Sequence, residues 1–295
     1  MNNLTNIQGF VPIGENTDSK LNFTVSESPL HCSVAGKSYD VGTHKILVRD
    51  DNHRQLAIVG RGYVTVQNSD LFSAIDDEVI RHFPGDIMVR DKIAHGGRTS
   101  MREYVVKDMK ATVEGDSNAA VVYRVIAVNG FGWSKIQVLS GAIDFFCLNG
   151  MVTGDVSAQY TRKHTRYVSL PNFQKVIAAS ADAFETYTNR FSDWSEIKIT
   201  DSQVSDFLSS KKFFTDSLAE KIFGQYQMEK NKRGANLWAL YSALTYYATH
   251  TDDARFALRD TGGDHEAETL MRRSISVLKM TGSPKFRAME SQGVH

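Results

Sequence analysis

Apolar residues fall into strand-like runs in the first half of the chain and into three- and four-residue steps in the second. KILVRDD from Lys45, a turn at Asp51-Asn52 and QLAIVG predict a β-hairpin, because Asp and Asn tolerate the left-handed backbone angles of a tight hairpin turn. GYVTVQN predicts a further short strand. Ser69 is placed to cap a helix: its hydroxyl can accept from the free first-turn amides, and Phe72, Ile75, Val79 and Phe83 keep one stripe up to Pro84. SMREYVVKDMKATV, AAVVYRVIAVNG and the run around SKIQVL then read as successive antiparallel strands, separated by turn-forming Gly, Asp, Ser and Asn.

After Pro171 the period changes. Phe173, Val176, Ile177, Phe184, Tyr187 and Phe191 lie on one face of a helix of roughly five turns. Thr200 with Gln203 forms a capping box for a helix over 201–209, and a further helix is expected over 213–228. Asn236 caps a helix lined by Leu237, Leu240, Tyr241 and Leu244, and Asp264 one carrying Leu270, Met271, Val277 and Leu278. The pattern predicts an α+β fold in which an antiparallel sheet in the N-terminal half packs against a mostly helical C-terminal half. Residues 1–44 read as an irregular arm that packs on the body or on a neighbouring subunit. Residues 45–170 read as a strand-rich core, and 171–295 as a helical region with a basic C-terminal tail.

Composition narrows the classes. The 295 residues are 41% hydrophobic, enough for a large core. Lys plus Arg and Asp plus Glu each number 34, so no overall field draws the chain to a polyanion, and any such site must be local. The opening MNNLTNIQGF has no basic stretch before an apolar run, and nothing approaches the ~18 apolar residues of a membrane span. A cytoplasmic protein without membrane contact is expected. Cys32 and Cys147 lack the spacing of a zinc site, and both are expected to be buried small hydrophobes.

Positive charge is densest at Arg162, Lys163, His164 and Arg166, bracketed by Tyr160 and Tyr167. Cations that neutralise phosphates beside rings that stack on bases suit a sequence-tolerant groove for single strands, whereas the plainer alternative is a solvated turn. Arg98, Arg102, Arg124 and Lys135 would line one sheet face if their segments pair, with Trp133 at the tip to stack on a base; the alternative is scattered surface cations. Alternation places Arg124 opposite Tyr123 and Val125, away from the core. From Leu270 onward five cations face the single carboxylate Glu290, in a basic tail or a helix whose last turn suits its dipole. His95-Gly96-Gly97-Arg98 lacks the strand and helix context of a phosphate loop and reads as a tight turn. Asp76, Asp77 and Glu78 face three directions on one helix, and Asp264-His265-Glu266 reads as a cap, so no local cluster recommends a metal, a cofactor or catalysis.

GYVTVQNSDLFSAID (62–76), AHGGRTSMREYVV (94–106), FFCLNGMV (145–152), RKHTR (162–166) and NLWALYSALTYYATHT (236–251), taken together and in this order, resemble a family of phage- and plasmid-encoded proteins of unknown function. Its strand-rich front half is similar to the fold of single-strand annealing proteins. The resemblance implies a non-enzymatic protein that binds or anneals single-stranded DNA in replication or recombination, without a cofactor and as a homo-oligomer. The alternative is a non-enzymatic interaction protein, a regulator or counter-defence factor; it would need exposed aromatics such as Trp194 and Trp238, which their helical spacing places in the core instead.

Overall fold

The long alternating runs pair into the centre of an antiparallel sheet. A computed structural model describes residues 9–16, 19–83, 85–116, 120–132, 135–144, 150–152, 159–162, 164, 171–250, 253, 256 and 265–292, of which 143–144, 150–152, 159–160, 162, 171–174 and 180 by backbone alone. Its strands are β1 (Val11–Pro12), β2 (Val25–Val34), β3 (Lys37–Arg49), β4 (Gln55–Gly60), β5 (Ile87–Ala94), β6 (Thr99–Thr112), β7 (Ala120–Gly130), β8 (Ile136–Asp144), β9 (Gly150–Val152) and β10 (Gln159–Arg162). The helices are α1 (Asn68–His82), α2 (Pro171–Asp182), α3 (Phe184–Glu196), α4 (Asp201–Leu208), α5 (Asp216–Arg233), α6 (Leu237–Thr249), α7 (Glu266–Thr281) and α8 (Pro284–Ser291). The order is strands first and helices after, as the pattern predicts: an α+β fold.

The main sheet runs β1-β5-β6-β7-β8-β10, with β9 also pairing with β8. Residues opposite one another across a ladder share a face. On one face Tyr104, Val106, Tyr123, Val125, Ala127, Val138 and Ala142 pack under Leu71, Phe72, Ile75 and Val79 of α1. On the other, Met101, Ile126, Val128 and Leu139 lie beneath Ala267, Leu270 and Met271 of α7. The helical half is built on a column of rings from four helices, α3, α4, α6 and α8. Phe191 is 5.1 Å from Trp238, Trp194 is 4.9 Å from Tyr241 and 5.3 Å from Phe286, and Phe207 is 5.8 Å from Phe286. Trp194 and Trp238 are thus core residues, as their helical spacing predicts.

A second sheet, β2-β3-β4, joins the hairpin predicted from Lys45 to β2 and the first part of β3, which lie where an irregular arm is expected. Its inner end joins the body through Phe23, Val25, Leu47, Leu56, Ala57, Val59 and Phe131. Its outer end is a two-stranded hairpin turned at Ala35 and Gly36, both with positive φ (50° and 76°), and it stands in solvent with Val34 60% and Tyr39 49% exposed. Cys32 lies on this hairpin and is exposed, against the expectation of burial. The β3–β4 part of this sheet is the hairpin predicted from KILVRDD and QLAIVG, whereas β2 and the outer part of β3 are not apparent in the pattern, because polar residues crowd both of their faces.

Several local expectations shift. GYVTVQN is not a strand: the Tyr63 amide donates to Gly60, the Tyr63 carbonyl accepts from Lys45 Nζ (2.7 Å), and the Val64 amide donates to His164, so no ladder forms. Helix α1 begins before Ser69, and Gln67 at its N-cap turns its side chain to the Val25 amide (3.0 Å) and carbonyl (2.9 Å), tying the small sheet to the helix. The five-turn helix is two, α2 and α3, meeting at Ala183. The Tyr123 hydroxyl donates to the Ile177 carbonyl (3.4 Å), tying α2 to the sheet. The capping box at Thr200 and Gln203 and the cap at Asn236, which accepts from the Ala239 amide (2.9 Å), are present. Helix α5 starts at Asp216, later than expected, because Thr215 caps it. At α7 the N-cap is His265, and Asp264 lies outside the described residues. The basic stretch after Ser283 is helix α8, anchored by buried Phe286 and Met289. No helix among the described residues is long and apolar enough to cross a membrane.

Candidate functional site

Two of the sheet arginines are spent inside the protein. Arg102 reaches Asp76 (2.7 Å) and, with two nitrogens, Asp91 (2.8 Å each). Burial lowers the Asp91 charge's favour, but the Arg102 and Ser19 hydrogen bonds outweigh it and hold the carboxyl below its ordinary range. Arg124 is only 1% exposed, with Nη2 2.8 Å from Glu103 Oε2, an atom that also accepts from Arg90 (2.9 Å). Burial opposes the ionised Glu103, yet the Arg124, Arg90 and Lys92 charges keep its carboxyl far below the usual range. Alternation does turn Arg124 away from Tyr123, as expected, but the face it enters is a second buried layer, so it lines no open surface. Strands β7 and β8 do pair, with Val128 opposite Gln137. Arg98 is half-buried at the end of the His95–Gly97 turn, and Lys135 is exposed just before β8.

The 160–167 patch is only partly in view. Tyr160 and Arg162 stand on β10 opposite Val138 and Ile136. Trp133, Lys163, Arg166 and Tyr167 lie outside the described residues. His164 does not offer a solvent-facing ring: it is 3% exposed and stacks on Tyr63 (4.9 Å) and Phe131 (6.1 Å). Burial pushes its pKa down to about 4, against weaker opposition from the Val64 and Gly130 backbone. The unfolded ring takes its proton near 6.5, so the stabilisation from keeping it neutral is complete above that pH and is lost as the pH falls toward 4. That loss amounts to about 3 kcal/mol. Urea midpoints measured from pH 7 down to 4 should therefore fall, and His164→Phe should remove this share of the decline; an undiminished decline in the variant would assign it to other groups.

The structure assembles a different cationic surface. Between α7 and the β7–β8 region runs a groove of about 490 Å³, lined by Thr99, Lys135, Gln137, Glu268, Arg272 and Lys279. Arg272, Ile275, Ser276 and Lys279 border it at helical i, i+3, i+4, i+7 spacing, opposite the buried Leu270 and Val277. Lys279 also borders a second cavity of about 430 Å³ with Lys212, Phe213 and Lys285. Lys135, Arg272 and Lys279 make no ion pair among the described residues, whereas Lys285 is held by Asp206 (2.9 Å). Arg273, one position along, is buried and donates to the Tyr247 carbonyl (3.0 Å), a structural role. The 3.6-residue spacing of Arg272 and Lys279 was the available signal for this surface; the run of five cations conceals it, because only part of that run shares a face.

At one end of the groove Glu268 meets His95, and His95 Nε2 lies 3.2 Å from His265 Nδ1. His95 opens the tight turn expected from its two glycines, with φ of 52°, 66° and 104° at His95, Gly96 and Gly97. The turn is fixed from outside: Arg49 donates to the Gly96 carbonyl (2.8 Å), while Arg54 and Phe23 occupy the space that Cβ atoms at Gly96 and Gly97 would need.

The fold and groove define an α+β protein in which Lys135, Arg272 and Lys279 meet between one helix and the sheet. Residues 55–274 match the family described as a domain of unknown function, DUF932, and the chain belongs to that family. No curated protein and no solved structure matches it.

Proposed function

We propose that this protein binds single-stranded nucleic acid along the groove between α7 and the sheet, as a phage or plasmid factor in replication or recombination. The observation that carries this reading is charge sorting. In a chain of zero net charge, Lys135, Arg272 and Lys279 carry no ion pair among the described residues and converge on one groove against the single carboxylate Glu268. Lys212 and the half-buried Phe213 prolong the surface past Lys279, adding a ring on which a base can stack. The patch at 160–167 reaches the same sheet through β10, whose Thr161 pairs with groove residue Gln137.

Anisotropy of a labelled oligonucleotide, titrated with salt, tests this. Wild-type affinity should fall steeply as salt rises. Replacing Lys135, Arg272 and Lys279 together by Ala should weaken binding and make the log–log salt slope shallower by about 2, at ~0.7 per phosphate contact. The triple variant Arg162→Ala, Lys163→Ala, Arg166→Ala, run in parallel, reports whether the second patch adds to the first. No binding at low salt, or unaltered binding in the groove variant, would overturn the reading. A second reading, an interaction protein without enzymatic activity, draws on the exposed Val34 and Tyr39 of the β2–β3 hairpin and predicts no salt-dependent oligonucleotide binding.

A further inference from the structure

We propose that His95, His265 and Glu268 form a binding site for a divalent transition-metal ion, with Zn²⁺ the best fit. One imidazole nitrogen from each histidine and a carboxylate oxygen lie within 4.8 Å of one another, and the three residues come from the turn before β6 and the start of α7. Two nitrogen ligands and one oxygen ligand make up a donor set that zinc takes at ~2.0–2.2 Å, and tetrahedral ligands at that range stand a little over 3 Å apart. The 3.2 Å between His95 Nε2 and His265 Nδ1 matches such an edge.

Hydrogen bonding alone does not account for this arrangement. His95 Nε2 is approached by both the Glu268 carboxylate and His265 Nδ1. An imidazole nitrogen carries one proton or one in-plane lone pair, so by hydrogen bonding it can meet both neighbours only by dividing a single proton between them. A cation shared by all three atoms satisfies them together. His265 points the same way: it holds the N-cap position of α7, yet its side chain makes no capping bond to the free amides and turns to His95 instead. His95 for its part sits in a left-handed conformation that a side chain seldom adopts without an external constraint.

The neighbouring Glu266 is engaged elsewhere, with Lys92, which leaves Glu268 as the carboxylate of the set. Three protein ligands leave at least one coordination position for water or a bound anion, and because Glu268 also lines the groove, that position lies at the groove's end. The site stands without the nucleic-acid reading, and its test uses no oligonucleotide, so the two fail separately.

The full chain, stripped with a chelator, is titrated with Zn²⁺ by calorimetry and with Co²⁺ by visible absorption. The wild type should take up one ion per chain and melt at a higher temperature with Zn²⁺ than without it. Glu268→Gln and His265→Asn should each bind at least about tenfold more weakly. Asn is a better helix cap than His, so His265→Asn should melt no lower than the wild type without metal, and its loss of binding reports the ligand rather than the fold. His44→Ala, on the exposed hairpin, should bind as the wild type does. The proposal is overturned if the wild type takes up no stoichiometric Zn²⁺, if either ligand variant binds as tightly as the wild type, or if His44→Ala abolishes uptake.

Discussion

Replacing Glu103 by Leu should destabilise the protein by about 3–5 kcal/mol, because it leaves Arg124 as a buried charge without its carboxylate. Glu103 is fully buried on β6, and its Oε2 atom accepts from both Arg90 and Arg124. Removing the anion strands the two guanidiniums unequally: Arg90 keeps access to solvent and rests over the Phe10 ring (4.3 Å), but Arg124 does not. A loss of this size is comparable with the whole ~5–15 kcal/mol that holds a typical domain together. Removing both charges, as in Glu103→Leu with Arg124→Leu, should recover a substantial part, since apolar groups of similar size replace buried pairs at little cost. Urea denaturation of the two single variants and the double completes the cycle. A Glu103→Leu midpoint close to wild type would show that the pair contributes little.

The second large effect is expected at Trp238. Its indole is fully buried among Phe191 and Tyr241, and its Nε1 donates to Asp116 (3.0 Å), which also binds Arg233. Trp238→Ala should cost about 3–5 kcal/mol through the cavity and the lost ring contacts. Trp238→Phe keeps most of the apolar body and removes the N–H, so its cost should be about 1–2 kcal/mol, reporting the Asp116 bond. Urea midpoints separate the two. Equal losses in both variants would place the whole effect in the hydrogen bond and none in the packing.

What the chain made legible follows from the range of each signal. The Thr200–Gln203 box and the Asn236 cap are decided by residues a turn apart, and both stand where local chemistry puts them. The long strands β6 and β7 are visible because each carries a run of apolar residues, Tyr104–Val106 in β6 and Val121, Tyr123, Val125 and Ala127 along one face of β7. Arg124 misled because alternation tells which residues share a face but not whether that face is covered, and here α7 and the arm at Phe10 cover the second face at either end of the charge cluster. His265 read as part of a cap for the same reason. Its partner His95 is far away in sequence, and only the packing of α7 beside the end of β5 brings the rings to a 4.2 Å centroid separation. The groove was half legible: its cations were counted, but Arg272 and Arg273 are neighbours in sequence with opposite fates, one exposed and one bonded to backbone carbonyls in the interior.

The family match begins at Gln55, the first residue of β4, and stops at residue 274, midway along α7. Those limits cut through the protein as a folded object. Trimming to them would take away β3, the ladder partner of β4, and Arg49, which grips the Gly96 carbonyl; at the far end it would take away Phe286 and Glu290, the latter bonded to Arg190 (2.7 Å) and Trp194 (2.9 Å). The matched stretch is therefore narrower than what must travel together, and anyone excising this module should take its cut points from the hydrogen bonds rather than from the similarity.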